Sequence, residues 1–190
     1  MFIIIRRHYE LILRQTVMNY PEESGGLLGG RHGVILGVYP VFNWAEKNVK
    51  FREFGLSKED LQKAREFFTL HDLDYVGTYH SHPKGVPYPS AQDLSHKQEK
   101  HLMIVGLQDP HNPVVAIYEN KGGHAVPERL KLIEDQDIAY YAPAGSSWRS
   151  SEQQRHMERM SHLIQGMING FSAYKKQDAK RFGSSFSVEA

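Results

Sequence analysis

Residues 75–83 read YVGTYHSHP, a run that predicts a strand over 74–82 carrying two histidines, His80 and His82. Side chains alternate between the two faces of a strand, so both imidazoles lie on one face with their Cα atoms about 6.5 Å apart. This spacing allows two ring nitrogens to bind one metal ion. Pro83 follows directly and ends the strand.

A carboxylate follows at a short distance. Residues 83–89 read PKGVPYP, and residues 90–93 read SAQD, which predicts the start of a short helix. Taken alone, Ser90 and Asp93 are typical of an ordinary capping box, and His80 and His82 are typical of two surface histidines. Together, two His and one Asp form the three-ligand set of a catalytic zinc, in which the fourth position is left for water.

Hydrolysis at such a site also needs a general base, and one acidic pair precedes a glycine-rich predicted strand. Glu22 and Glu23 stand between Pro21 and the run GGLLGG at residues 25–30. Considered alone, the pair is more typical of a solvated helix end than of a catalytic group. The many glycines of the strand indicate that another backbone, or a substrate, comes close to it.

The remaining patterns predict an α+β order of elements without internal repeats. Further strands are predicted at residues 2–5, 34–42, 102–107 and 114–118. Helices are predicted at residues 9–18 and after Ser57, which begins a capping-box-like sequence.

Loop residues around 140–147 indicate a boundary, which predicts a domain over 1–140, a linker over 141–149, a helix over 150–176 and a flexible tail over 177–190. Apolar residues in this helix recur three and four positions apart and form one stripe. The stripe consists of Met157, Met160, Ile164, Met167, Phe171 and Tyr174. It either packs on its own domain or offers a surface to a partner or to a second copy in a homodimer.

Composition excludes several classes of function. The 190 residues include no cysteine, which excludes a disulfide framework, a thiol nucleophile and a Cys-based zinc site. A net charge of +1 argues against nucleic acid as a partner. The apolar run Phe2–Ile5 is too short for a signal sequence or a membrane span, so we expect a cytoplasmic protein without a membrane partner.

These residues resemble the signature of the JAMM, or MPN-plus, zinc metalloprotease family, in particular its stand-alone bacterial type. That signature is a Glu followed at a distance by His-x-His-Pro, a short loop and Ser-x-x-Asp. The run PEESGG at residues 21–26 resembles the Pro-x-Glu-x-x-Gly element of the family, and the resemblance extends over about residues 2–135. One departure is Gly25-Gly26, which stands where many bacterial members have Cys-Gly.

The resemblance implies a role for each matching residue. It implies that one Zn²⁺ per chain is held by His80, His82 and Asp93. Glu23 aligns with the general base, and Glu22 is the weaker candidate for that role. Ser90 matches the family's serine, whose hydroxyl stabilises the oxyanion formed when zinc-bound hydroxide attacks a carbonyl.

The resemblance also implies a fold and a class of substrate. The family fold is similar to that of cytidine deaminases, a central mixed sheet flanked by helices. Members cleave peptide or isopeptide bonds after the diglycine tail of ubiquitin-like proteins, and bacterial members similar to this chain process sulfur-carrier proteins. We expect an extended tail to add alongside an exposed strand edge. The absence of long insertions argues against polyubiquitin as the substrate.

Two rival interpretations remain at this level. An MPN-type scaffold or protein-interaction module keeps the fold but lacks the metal ligands, whereas every ligand position is present here. RadC-type proteins of bacteria have a similar His-x-His-Pro and Pro-x-x-x-Asp spacing, but the Pro-x-Glu-x-x-Gly element argues against that assignment.

Overall fold

Eight strands form one mixed β-sheet in the computed structural model, which describes residues 1–96, 99–137, 155, 158–159, 161–170 and 173. The strands are β1 (Phe2–Ile5), β2 (Gly25–Arg31), β3 (Val34–Val41), β4 (Asp74–His82), β5 (His101–Gly106), β6 (Val114–Lys121), β7 (His124–Glu128) and β8 (Leu130–Ile133). The helices before residue 97 are α1 (Arg6–Asn19), α2 (Lys58–Leu70) and α3 (Ala91–Ser95). The α+β prediction, with a central mixed sheet flanked by helices, is confirmed, and the likeness to cytidine deaminases stays a prediction.

The strand with both histidines lies inside the sheet. The strand order is β7-β6-β5-β4-β2-β3-β1-β8, so β4 pairs with β2 on one side and β5 on the other. Strand β2 runs antiparallel to β4, with Gly25 opposite His80 and Gly26 opposite Tyr79. Because opposite residues of an antiparallel pair point to the same face, Gly25 shares a face with His80.

Helices pack on both faces of the sheet. The Tyr79 hydroxyl donates to the Gln15 side chain of α1 at 2.5 Å, which places α1 on the Tyr79 face. On the His80 face, the ring of Phe68 in α2 packs where a side chain at Gly29 would lie, since a Cβ there would be 2.4 Å from the ring. The candidate site therefore shares its face with α2.

Helix α1 begins three residues earlier than the apolar spacing predicts. It follows β1 directly, without a side-chain cap, and its inner positions Leu11 and Ile12 are buried. The Arg6 side chain donates to Glu134 at 2.5 Å, and Arg7 pairs with Asp135. These contacts stabilise a first turn that apolar periodicity does not mark. Among the described residues, no helix combines the length and apolar character needed to cross a bilayer.

Two strands, β7 and β8, are absent from the sequence-based prediction. Strand β7 forms a hairpin with β6 through Gly122 and Gly123, whose φ angles of 62° and 94° suit glycine. Strand β8 pairs in parallel with β1 and completes the opposite end of the sheet. Pro127 lies in β7, and proline is tolerated there because β7 is an edge strand.

The C-terminal helical segment, residues 161–170, contacts α1, and the Arg14 side chain donates to Gln165 at 3.2 Å. Ile164 and Ile168 are buried in the main core, and the Ser161 hydroxyl lies 3.3 Å from Nε2 of His8. The buried side of this segment thus covers its own domain, and an interface with a partner or second copy stays a prediction. The predicted linker, the tail and the stripe residues Met157, Met160, Phe171 and Tyr174 lie outside the described residues.

Candidate metal centre and active site

The two histidines of β4 converge as the strand spacing predicts. Nε2 of His80 and Nε2 of His82 are 3.0 Å apart, and the ring centroids are 5.0 Å apart. His80 is almost completely buried. The ring of Phe54 stacks against the His80 ring, with the two ring centroids 6.0 Å apart and an interplanar angle of 6°. Both rings therefore present one nitrogen to the same point above the sheet.

Asp93 supplies a carboxylate at that point. Its Oδ1 is 3.2 Å from Nε2 of His80, and its Oδ2 is 3.4 Å from Nε2 of His82. Four ligands around a tetrahedral zinc lie about 3.3 Å from one another when each is about 2.0–2.1 Å from the ion. One ligand atom from each of the three residues lies within 4.8 Å of the others, so the two imidazoles and the carboxylate are close enough together to hold one metal ion.

Local structure fixes the position of Asp93. Ser90 is the N-cap of α3, and its hydroxyl oxygen accepts from the Asp93 amide at 3.2 Å, while the Ser90 amide donates to Oδ2 of Asp93 at 2.6 Å. The capping-box interpretation and the ligand interpretation are therefore compatible in one side chain. Ser90 also lines the cavity that contains His80, His82 and Asp93.

The electrostatics of the three groups suit cation binding. Burial opposes ionisation of Asp93, but hydrogen bonds from His80, His82 and Ser90 outweigh it and hold the pKa of the carboxyl well below its usual range. Burial lowers the pKa of His82, but Asp93 and the charge of Glu23 raise it more, so the net shift is upward. The backbone of Val86 adds a smaller upward effect on the pKa of His82.

Glu23 lies beside the ligands because of strand register. The Ser81 amide donates to the Ser24 carbonyl at 2.9 Å, which extends the β2–β4 pairing past Gly25 and brings Glu23 level with His82. Glu23 is only 6% exposed, and burial raises the pKa of its carboxyl to about 8. A buried carboxyl beside the two imidazoles and Asp93 is positioned to accept and return a proton.

One cavity of about 1020 Å³ brings the predicted site residues together. Its walls include Glu23, His80, His82, Ser90 and Asp93. Glu22, the weaker candidate, is half-buried and lies outside this lining. The geometry therefore distinguishes two neighbouring glutamates that the sequence leaves as alternatives.

The strand that carries both histidines has no free edge, and addition of a substrate tail along another strand edge stays a prediction. Strand β4 is paired on both sides, and the edge strands of the described sheet are β7 and β8. An extended substrate reaching His80 and His82 therefore has to enter through the mouth of the cavity. Phe51, Arg52 and Lys84 lie among the residues that line it.

Gly25 and Gly26 allow β2 to approach both neighbouring strands closely, Gly25 toward β4 and Gly26 toward β3. A Cβ at Gly25 would lie 2.2 Å from the Tyr79 carbonyl oxygen and 2.9 Å from Cβ of His80. A Cβ at Gly26 would lie 2.3 Å from the Tyr39 carbonyl oxygen. The sequence-based expectation of a close backbone approach is confirmed at both positions.

We expect Gly25→Ala to lower the free energy of unfolding by about 1–3 kcal/mol, because the added methyl group must displace backbone next to a ligand. Urea unfolding measures the loss. Gly166→Ala is the matched control, since Gly166 is an exposed helical glycine with no atom within 4 Å of an added Cβ. The control should be stabilised by about 0.5–1 kcal/mol. A Gly25→Ala protein as stable as the unsubstituted one would contradict the close packing.

Sequence patterns missed two residues that build the site from a distant loop. Phe54 stacks on His80, and the buried Asn43 donates to the Glu23 carbonyl at 3.0 Å. The weak signal for both is their place in an irregular run, residues 42–57, between a strand and a helix. Long connections of this kind often carry functional groups.

Two characterised proteins are similar to this chain in sequence. The desampylase of Pyrococcus furiosus is 33% identical over 92 residues, which are 48% of this chain and 64% of that protein. The CysO-cysteine peptidase of Mycobacterium tuberculosis is 28% identical over 141 residues, which cover 66% of this chain and 93% of the peptidase. The chain therefore spans somewhat less than two thirds of the desampylase and nearly all of the peptidase.

Solved structures share the fold. A Desulfitobacterium hafniense protein determined in solution is 25% identical, covers 70% of this chain and 94% of its own, and has a TM-score of 0.64. A Salinibacter ruber protein is 23% identical, and the match covers 70% of this chain and 92% of that protein, with a TM-score of 0.52. This likeness shows the fold alone.

The model of the Prok-JAB family, described as prokaryotic homologs of the JAB domain, matches residues 6–121. Because that match covers more than half of the chain, the protein belongs to the Prok-JAB family, in agreement with the predicted JAMM/MPN membership.

Proposed function

We propose that the chain is a zinc-dependent metallopeptidase that hydrolyses a peptide or isopeptide bond after the diglycine tail of a ubiquitin-like or sulfur-carrier protein. The observation that carries the proposal is the convergence of three ligand atoms, from His80, His82 and Asp93, in a cavity that also contains the buried carboxyl of Glu23. A scaffold without catalytic function is not favoured, because no ligand position is lacking.

His80, His82 and Asp93 would hold the zinc ion. A divalent ion in a set of two imidazoles and one carboxylate polarises a carbonyl and lowers the pKa of water. The pairing of β4 with β2 and β5 supports the two imidazoles, and the α3 capping box supports the carboxylate. These rigid supports favour a ligand set that is organised before substrate arrives.

The chain's own residues supply the proton transfers. Glu23 accepts a proton from the attacking water and returns it to the leaving amine, which its burial and its position level with His82 support. Ser90 donates its hydroxyl hydrogen to the oxyanion that forms on the attacked carbonyl. Both groups line the cavity that contains the ligands.

The relatives support the class of substrate. One is named a desampylase and another a CysO-cysteine peptidase, and both names fit hydrolysis at the end of a ubiquitin-like or sulfur-carrier protein. A Gly-Gly tail has no side chains, so it can pass the cavity mouth beside Phe51 and Lys84 and place its last carbonyl near His82.

The test uses purified chain and candidate sulfur-carrier and ubiquitin-like proteins extended beyond Gly-Gly by a peptide or an isopeptide bond. We expect mass spectrometry to show cleavage directly after the second glycine, loss of cleavage with a chelator, and recovery when zinc is added. Substrates ending in Ala-Ala before the extension are the matched control and should be cut slowly. Cleavage that persists after chelation would overturn the proposal.

A further inference from the structure

The Asn43 amide forms the centre of a buried hydrogen-bond cluster beside the candidate base. The residue follows β3, is 7% exposed, and uses both ends of its side chain. Its Nδ2 donates to the carbonyls of Glu23 and Glu53 at 3.0 and 2.8 Å. Its Oδ1 accepts from the amides of Ala45 and Gly55, each at 2.9 Å.

The chemistry of the four partners requires an amide in one orientation. Two partners are carbonyls that need donors, and two are N–H groups that need an acceptor. A carboxylate offers no donor and an aliphatic side chain offers neither, so each would leave buried backbone groups unsatisfied. Asn43 is thus matched to its partners atom by atom.

The two acceptor bonds close the loop formed by residues 44–55. The Trp44 amide donates to the Gly55 carbonyl at 3.0 Å, beside the bonds from Ala45 and Gly55 to Asn43. A Cβ at Gly55 would lie 2.5 Å from the Ala45 nitrogen, so the neck of the loop accepts only glycine there. This loop carries Phe54, which stacks on His80.

The donor bonds reach Glu23 itself. Glu23 precedes β2, and its amide donates to the Lys50 carbonyl of the same loop at 2.7 Å. Its carbonyl accepts from Asn43. Both main-chain polar groups of Glu23 are therefore bonded to residues 43–50, so the direction of its side chain depends on this loop and not only on the sheet.

We infer that Asn43 is a positioning residue for the general base: its donor end holds the Glu23 backbone, while its acceptor end closes the loop that supports His80 through Phe54. The inference rests on the proposed function, since it assigns Asn43 a role in the proton transfers of Glu23. Asn43 does not itself touch the ligand atoms, and it acts through Glu23.

The central variant is Asn43→Asp, which keeps the acceptor toward Ala45 and Gly55 but removes the two N–H donors. We expect kcat to fall about 10–100-fold, KM to change less than about twofold, and zinc content to stay at one per chain, as for an outer group that orients a catalytic residue. Amide hydrogen exchange should rise at Glu23 and its neighbours while Ala45 and Gly55 stay protected. Asn43→Ala should lose protection at all of these positions.

A double-mutant cycle with Glu23→Gln separates positioning from general destabilisation. In the Glu23→Gln background, Asn43→Asp should lower kcat less than about threefold, because the base it positions is already absent. An equal loss in both backgrounds, or an Asn43→Asp protein with unchanged kcat, would overturn the inference. If Asn43→Asp does not fold, Asn43→Ala takes its place in the same cycle.

Two control variants test whether an Asn→Asp change elsewhere, or a loss of core packing, is enough to lower kcat. Asn112→Asp introduces the same change at an exposed position and should leave kcat unchanged. Ile4→Val tests whether a modest loss of core packing alone lowers kcat. If Glu23→Gln alone leaves activity intact, the proposed function fails together with the inference. If Glu23→Gln is inactive but the cycle is additive, only the inference about Asn43 fails.

Discussion

Glu23→Gln should lower kcat by about 10²–10⁴-fold while the protein keeps its zinc, because the change removes a proton acceptor of nearly the same shape. Glu23 is buried in the cavity that contains His80, His82 and Asp93, and burial raises the pKa of its carboxyl to about 8. Steady-state kinetics on the cleavable substrate and metal analysis on the same sample measure the two quantities.

Glu22→Gln is the matched control for this prediction. It makes the same chemical change one residue earlier, at a half-buried side chain outside the cavity lining. Its kcat should stay within about twofold of the unsubstituted value, as expected for a residue away from the chemistry. Loss of activity in Glu22→Gln but not in Glu23→Gln would show that the wrong glutamate has been assigned.

Asp93→Ala should abolish activity by releasing the metal. The change removes the single carboxylate from a set in which its oxygens lie 3.2 and 3.4 Å from the two imidazoles. We expect the affinity for zinc to fall by more than the 10–100-fold typical of a lost supporting contact around a metal ligand. Competition with a chromophoric chelator measures the affinity.

Asp60→Ala separates the loss of a ligand from the loss of a helix cap. Ser57 and Asp60 begin α2 with the same spacing as Ser90 and Asp93, and the Asp60 carboxylate accepts from the Ser57 hydroxyl at 2.6 Å. Each variant loses one carboxylate from the first turn of a helix, which should cost about 0.3–1 kcal/mol of stability. Only Asp93→Ala should lose zinc, and a full equivalent retained by that variant would refute its assignment as a ligand.

Much of the sheet can be predicted because its inner strands have local signals. The predicted bounds of β4, residues 74–82, agree with the structure at both ends. Pro83 marks the C-terminal end, directly after a run of strand-forming residues. Strands β7 and β8 have weaker local signals. Strand β7 is short, contains Pro127 and is only partly buried. Such edge strands depend on pairing with neighbours that are distant in sequence, as β8 does with β1.

The convergence of ligands could be predicted for a similar reason. His80 and His82 lie on one strand and Asp93 lies shortly after it, so period-two geometry and one loop bring them together. Asn43 could not be identified in this way, because its four partners are backbone groups whose positions depend on the folded loop. The catalytic and ligand roles themselves stay predictions until the variants are measured.

The different spacing of ligands and base along the chain has a consequence for folding. The three ligands lie within residues 80–93, and ordering so short a loop costs little entropy. The position of Glu23, the proposed base, depends on pairing between Ser24 and Ser81, which spans 57 residues and requires β2 to be docked. Under the proposed function, turnover therefore depends on a long-range pairing that brings Glu23 to the ligands, in addition to the local spacing that brings the ligands together.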